Sequence, residues 1–404
     1  MANSLTAFSP TYWSKRMGRK LYKSVVFRAI ASFEEQAVLH DGQIVDRPYR
    51  ADVTIENYVK GTALTAQDLT ATSDTLTVNV IKALLMYVDN VDKIQNKYSA
   101  ANVWADEAAT RLAVGIDAVF LYEVTNANNN VDDSDVNPGT GTANAGFDLT
   151  TSNVLDMFTL ANKELDADNV PLGQRNMVIS PNVKAVLMKY LAGRESQLGD
   201  SSGQNGHIGS YMGFKLYLSN NLTASARWTP ANNPSNNDTV TIEGITFTFV
   251  SSIGSTAGNI LIGSTTADTI DNIVALIDNG GATSDSSVSN ISLTAANQRA
   301  VQMWDAVDGT TYLEVRVKGG SFLTVSGSDA SDVWGNQYKI QHVLAGRDGA
   351  IDAVIQQNPK VEMDSTVSAG KWGMNILPVT LFGVKTFNQG KNEIVNIKVK
   401  SANF

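Results

Sequence analysis

Between Val91 and Glu123 the apolar residues return at a helical interval, and this stretch limits what the rest of the chain can be. Val91, Ile94, Tyr98, Ala101, Ala105, Ala108, Leu112, Ile116, Val119 and Phe120 fall close to one face at the helical period. Asp89 or Asn90 stands where an N-cap is needed. At 1.5 Å per residue, a helix over residues 91–123 spans about 45–50 Å. A small compact domain has no use for that length. An elongated, flat molecule or a long interface does.

The flanking segments agree with an elongated molecule. Residues 42–48, 53–59 and 76–80 alternate apolar and polar side chains, as strands with one covered face do. Residues 62–75 are polar, Thr-rich and without a core, so the region reads as a long exposed β-excursion. Residues 126–146 form an Asn/Asp/Gly loop. A helix is expected over 151–166 and a short buried strand at 176–179. A second helix, 182–191, is opened by Ser180 as N-cap and Pro181 at the first helical position. Residues 193–209 return to loop. Strand-like stretches at 338–344, 350–356, 374–386 and 393–400 close the chain, the last alternating cleanly.

Composition shifts at Leu222. Residues 223–238 read as a polar linker with Pro230 and Pro234. Beyond it come a strand at 239–250, a helix at 267–277, a helix-like run at 294–305, strands at 312–317 and 321–325, and a return near Gly335-Asn336. That is a self-contained α+β pattern of a common domain size.

Charge is uneven. The 404 residues carry a net charge of −9, which argues against a dedicated nucleic-acid binder. Residues 222–336 hold eleven acids against Arg227, Arg299, Arg316 and Lys318, a net charge of −7. The start is the opposite: Lys15, Arg16, Arg19, Lys20, Lys23 and Arg28 precede the first acid. These six cations sit among aromatic residues in a segment, 1–31, that reads as an arm packing on something larger, or as an ordinary first helix with Leu21, Val25, Val26 and Ile30 on one face. They can touch nucleic acid without sequence preference. The preferred reading pairs them with acidic surfaces of neighbouring subunits.

Residues with catalytic chemistry are few and scattered. The absence of cysteine excludes a disulfide framework, a thiolate zinc site and a cysteine nucleophile, and fits a reducing compartment. His40, His207 and His342 lie in three segments with no ligand spacing and read as surface or interface residues. Asp133-x-Asp135-x-Asn137-x-Gly139 approaches a calcium loop, but the glycine is one place late and Asn144 stands where a bidentate Glu belongs. It reads as a solvated acidic loop. Gly206, Gly209 and Gly213 lack the strand and helix of a nucleotide fingerprint. The run Leu344-Ala345-Gly346-Arg347-Asp348-Gly349 reads as a plain turn rather than a phosphate contact. No catalytic, cofactor or metal site is expected, and so no enzyme. No apolar run has the signal-peptide or membrane-spanning pattern. The expectation is a soluble protein, used in a cytoplasm, with no membrane partner.

Several segments, in order, resemble the coat proteins of tailed bacteriophages. Val170-Pro171-Leu172-Gly173-Gln174-Arg175-Asn176-Met177-Val178-Ile179-Ser180-Pro181 is similar to the family's Arg, short apolar strand, Pro run before a helix of the axial domain. The run Ile208-Gly209-Ser210-Tyr211-Met212-Gly213-Phe214-Lys215-Leu216-Tyr217-Leu218-Ser219-Asn220-Asn221-Leu222 is similar to its glycine, apolar, Gly-Phe, strand, Ser-Asn segment. Residues 342–363 resemble its turn into an Ala-Ile strand, and Gly383-Val384-Lys385 with the closing strand its C-terminal run. The resemblance implies an α+β fold of the Hong Kong 97 capsid type. It implies an N-terminal arm (1–31), an extended β-loop region (32–90), and a peripheral-domain spine helix with its following loop (91–149). The first part of an axial domain (150–222) follows, then an inserted domain (223–336), then the axial return and C-terminal peripheral strands (337–404). One branch of the family carries an insertion at this place.

The implied function is that of a major capsid protein. It would be a homo-oligomer of pentamers and hexamers, self-assembled into an icosahedral shell around non-specifically packaged double-stranded DNA. Separate scaffolding, portal and decoration proteins would be its further partners. The virion capsid would assemble in the host cytoplasm, with the acidic insertion facing outward, away from DNA. The rival readings are an encapsulin-like compartment, a phage tail or surface-adhesion protein suited to the Thr/Gly-rich residues 239–325, and a hydrolase, which nothing positive supports.

Overall fold

The computed structural model describes residues 23–39, 42–50, 53–67, 71–95, 100–192, 209–283, 289–320, 323–328, 333–364 and 372–400. The first element is a single turn, α1 (Phe27–Ile30), followed by a 3-10 turn at Glu34–Gln36. The β-excursion is an antiparallel ribbon of β1 (Ile44–Arg50) and β2 (Ala71–Thr77), with Ile44 opposite Thr77 and Arg50 opposite Ala71. Residues 53–59, expected as a strand, form none. Their side chains are all exposed, so the alternation has no surface to pack on.

β3 (Val80–Ala83) and β4 (Met86–Asp89) lead into α2 (Asn90–Gln95) and the spine helix α3 (Ala100–Tyr122). Asp89 Oδ1 accepts from the Val91 amide at 2.8 Å, the cap the sequence points to. The 23 residues of α3 span about 34 Å, and a 3-10 turn, Glu123–Asn126, ends the helical stretch. The loop after it is more ordered than its composition predicts. It holds β5 (Asn129–Val131) and α4 (Asp133–Val136), the latter started by a reciprocal cap between Asp132 and Asp135.

α5 (Val154–Ala167) begins after a turn in which Asn153 Oδ1 accepts from the Thr150 amide at 2.8 Å. β6 (Arg175–Ile179) is buried throughout, and α6 (Pro181–Ala192) starts on its proline. β7 (Ser210–Tyr211) and β8 (Phe214–Leu218) are joined by Met212-Gly213, both at positive φ.

The expected linker at 223–238 opens instead with β9 (Thr223–Thr229), in which Thr223, Ala224, Ser225, Ala226 and Trp228 are buried. Its small residues hide the alternation of a strand covered on both faces. The single strand expected at 239–250 is a hairpin, β10 (Thr239–Ile242) and β11 (Ile245–Val250). Glu243-Gly244, both at positive φ, supplies the two-residue turn that matches strand twist. β12 (Asn259–Leu261) precedes α7 (Thr266–Asp278), which Thr265 and Asp268 cap reciprocally. The helix-like run at 294–305 divides into α8 (Ala295–Val301) and β13 (Trp304–Asp308), because Trp304 joins the ladder opposite Val317. β14 (Leu313–Val317), β15 (Val325–Gly327) and β16 (Val333–Trp334) complete the segment. β17 (Ile340–Arg347), β18 (Asp352–Asp364), β19 (Gly373–Lys385) and β20 (Ile394–Lys400) close the chain.

Among the described residues these strands form four sheets. Besides the β1–β2 ribbon, a peripheral sheet places β19 between β18 on one side and β3 and β4 on the other. A ten-stranded sheet runs β13-β14-β9-β17-β6-β8-β7, with β20 also on β17, β5 on β20 and β16 on β9. A four-stranded sheet runs β12-β11-β10-β15. One core gathers α1, α3, α5 and α6 against β6, β17 and β20. A second core lies wholly within residues 224–334, where Trp228 stacks on Phe249 at 5.4 Å. β9 belongs to the second core and yet pairs with β17, so the two regions share one sheet.

Candidate assembly surfaces

The ribbon has a clamped root and a bare tip. At the root, Arg47 Nη2 bonds Glu35 Oε1 at 2.5 Å, Arg47 Nη1 meets Asp352 Oδ2 at 3.2 Å, and the guanidinium lies 4.0 Å from the Phe387 ring centre. Lys385 pairs with Asp74 on the other strand, and Tyr49 Oη accepts from the Asn388 amide at 3.1 Å. Beneath them Leu39, Val45, Leu76, Val78, Val354 and Phe387 form a small core. At the tip, Gln67 bonds both the Thr54 amide and the Thr54 carbonyl, which closes the loop on itself. The large apolar side chains Val53, Ile55, Tyr58, Val59 and Leu64 are exposed, Ile55 by 98%. A contiguous apolar set held away from its own core marks a contact surface for another chain.

The peripheral sheet presents a second such surface. Ile376, Thr380 and Phe382 on β19 are buried on one face. Leu377 and Val379 alternate onto the other, with Ala83 opposite Val379, while Leu381, opposite Ile81, packs against the small core at the ribbon root. Ile81 is 65% exposed, and Leu85, Tyr87 and Trp372 are exposed nearby in the same strands and their ends.

Of the six arm cations, Lys15, Arg16, Arg19 and Lys20 lie outside the described residues. Lys23 donates to the Gly319 carbonyl, while Arg28 is exposed on α1 with its guanidinium 5.8 Å from the Phe27 ring centre. The arm is fixed by a residue that pattern reading passes over. Asp117 of α3 is fully buried, and its Oδ1 accepts from the Val26 and Phe27 amides at 2.8 and 2.9 Å. Its Oδ2 accepts from Asn221 Nδ2 at 3.0 Å. The signal was present: Asp117 is the one charge in residues 112–121.

Contacts at three places, among others, stitch the 224–334 region to the rest. β9 pairs with β17 through Thr223↔His342, Ala224↔Gln341 and Ser225↔Ile340. The Tyr122 hydroxyl at the end of α3 bonds the Asp305 carboxylate, and Lys318 Nζ lies 4.4 Å from the Tyr122 ring centre. Burial and Asp305 push the Tyr122 phenol well above its ordinary range. Lys23 to Gly319 is the third stitch.

His342, expected at a surface, is buried at this junction. Its Nδ1 donates to Asn396 Oδ1 at 2.9 Å, and its Nε2 accepts from Ser225 Oγ at 3.0 Å. Burial pushes its pKa down to about 4, so the ring is neutral near pH 7. His40 and His207 lie outside the described residues.

The carboxylates of the calcium-like loop serve the backbone: Asp132 accepts from the Ser134 and Asn144 amides, Asp133 from the Thr142 amide and Asp135 from the Asp132 amide. Among the described residues no group of His, Asp and Glu could hold a metal ion, and no helix is long and apolar enough to cross a membrane.

A family model described as phage capsid protein matches residues 88–261. The fold is similar to that of a chain from Mycobacterium phage Che8, at a TM-score of 0.57 and 16% identity over 96% of this chain and 97% of that one. It is also similar to a chain of the capsid of cyanophage P-SCSP1u, at a TM-score of 0.56 and 12% identity over 99% and 95%. A third similar chain comes from the mature capsid of bacteriophage PhiM1, with a TM-score of 0.50 and 11% identity over 97% and 92%. No curated protein sequence matches this chain.

Proposed function

We propose that this chain is a phage capsid protein with the Hong Kong 97 type of fold, and that it builds its shell from pentamers and hexamers that close around double-stranded DNA. Its role is structural, and no catalytic step is assigned to it. The ribbon carries the reading: a root clamped by Arg47 and Lys385 holds Ile55 and its apolar neighbours clear of the parent fold. A ring or closed shell needs contacts in which one patch meets a different patch on the next copy. The ribbon tip and the outer face of the peripheral sheet are two such patches.

Residues 223–336 are proposed as an inserted domain on the outside of the shell. Their separate core supports a domain, and a net charge of −7 over residues 222–336 opposes placement against DNA. The arm cations Lys15, Arg16, Arg19, Lys20 and Arg28 are proposed to meet acidic surfaces of neighbouring subunits. Separate scaffolding, portal and decoration proteins, and assembly in a host cytoplasm, belong to the same reading.

The test is expression of the chain, with and without a candidate scaffolding protein, followed by electron microscopy and an assay for nuclease-protected DNA. Closed particles are expected. Ile55→Asp with Val59→Asp is expected to give folded subunits or rings that do not close. A strictly monomeric wild type under every assembly condition, or a double variant that closes as the wild type does, overturns the reading. Particles from phage-infected cells that hold protein but no DNA would favour a protein-loading compartment.

A further inference from the structure

A cavity of about 370 Å³ opens where β9 and β14 meet β17 and β20. Three cations line it: Arg227 and Arg316 from the 224–334 region, and Lys398 from β20. Glu314 sits among them, 2.8 Å from Arg316 Nε and 3.3 Å from Arg227 Nη2. Asp132 is the other acid near Lys398. It is already engaged by the Ser134 amide at 2.9 Å, the Ser134 hydroxyl at 2.7 Å and the Asn144 amide at 2.6 Å. Asp305 stands opposite Arg316 on β13 and is engaged by the Tyr122 hydroxyl. With His342 neutral, the cavity lining itself holds three cations and one carboxylate, Glu314.

The donors are also held in place. The Arg227 guanidinium lies between the Tyr312 and Tyr338 rings, 3.9 and 4.0 Å from their centres, which fixes its plane. Arg227 Nε is buried and has no hydrogen-bond partner among the described residues. Lys398 Nζ bonds Asn144 Oδ1 at 2.9 Å, one of the three bonds an ammonium can make. Cations withdrawn from water cost stability unless matched, so a site needed only for packing would favour apolar residues.

We propose that this cavity binds one small tetrahedral oxoanion, of the phosphate or sulfate class, which ties the inserted segment to the main sheet. Planar guanidinium forks and an ammonium suit such an anion. At ~30 Å³ per water, the space holds on the order of ten waters, enough for the ion and part of its hydration. The anion can be a free ion or a phosphate of a nucleic-acid backbone.

The test uses the full-length protein and inorganic phosphate. The ³¹P line of phosphate should broaden on addition of protein. Tm should rise with phosphate more than with sodium chloride of equal ionic strength, as expected for a ligand of the native state. Lys398→Met should weaken phosphate binding at least tenfold, and Lys163→Met, an exposed cation on α5, should leave it unchanged. Phosphate also stabilises proteins by exclusion from their surfaces, so an equal rise in wild type and Lys398→Met overturns the proposal. No broadening with the wild type overturns it outright, and this arm holds if Lys398→Met fails to fold. Arg227→Gln then serves as the second variant. Displacement of bound phosphate by a short single-stranded oligonucleotide assigns the site to a backbone phosphate; retention assigns it to a free ion.

Discussion

Replacing Asp117 by alanine removes the carboxylate whose hydrogen bonds join the arm to the spine helix. Three hydrogen bonds go: to the amides of Val26 and Phe27 and to Asn221 Nδ2. Bonds to a charged acceptor contribute about 1.5–3 kcal/mol each, and each buried amide left without an acceptor costs about 1–3 kcal/mol. These figures count the same loss twice in part. The carboxylate also carries its own cost, because burial raises the Asp117 carboxyl despite Asn221, the two amides and Lys23. The expected net loss for Asp117→Ala is about 3–5 kcal/mol. Asp117→Asn keeps one oxygen for the amides but turns an NH2 group toward Asn221 Nδ2, donor against donor. Its expected cost is smaller, about 1–2 kcal/mol. The assay is denaturant unfolding of an assembly-blocked subunit, followed by tryptophan fluorescence, with limited proteolysis of the native state. New cleavage near residues 23–31 is expected in Asp117→Ala. A loss below about 1 kcal/mol, with the arm as protected as in wild type, would refute the anchoring role.

His342 gives a pH dependence. Its folded pKa of about 4 lies below the ordinary value of 6.5, so the unfolded chain binds the extra proton first. Its contribution is fully present above pH 6.5 and falls by about 3 kcal/mol as pH drops to 4. His342→Gln should flatten that part of a stability-against-pH curve, and an unchanged slope would count against it. Gly383 should not accept alanine: a Cβ there would lie 2.7 Å from the Thr77 carbonyl oxygen and 3.0 Å from Val78 Cα, both backbone. The expected loss, read by thermal unfolding, is about 1–3 kcal/mol, and an unshifted Tm would show that β2 and β19 can part.

The spine helix, the buried Arg175–Ile179 strand and the closing strand were legible because each has a clean period or cap and packs by that pattern. The ribbon was legible in place but not in detail. Residues 53–59 alternate like a strand and bury nothing, because what they would pack on is not in the same chain. β9 was hidden for the opposite reason: Ala224, Ser225 and Ala226 are small where the strand is covered from both sides, and small residues carry no periodic signal. Asp117, Arg47 and His342 act through partners 91, 305 and 117 residues away in sequence, and no local pattern records such pairings.

The shared strand bears on the proposal that residues 223–336 are an inserted domain. A domain tethered by a polar linker would be free to turn on its base and could be removed without trace. β9 instead lies between β14 and β17, so backbone hydrogen bonds set the direction in which residues 224–334 leave the main sheet. Tyr122 and Lys23 add contacts to the spine helix and the arm. Excising residues 224–336 would therefore do more than shorten the chain. It would uncover the edge of β17 at Ile340, Gln341 and His342 and leave a short unpaired edge open to strand addition. Ile340 and His342 also border the cavity of Arg227, Arg316 and Lys398, so the point where residues 224–334 join the sheet is also where these charges gather.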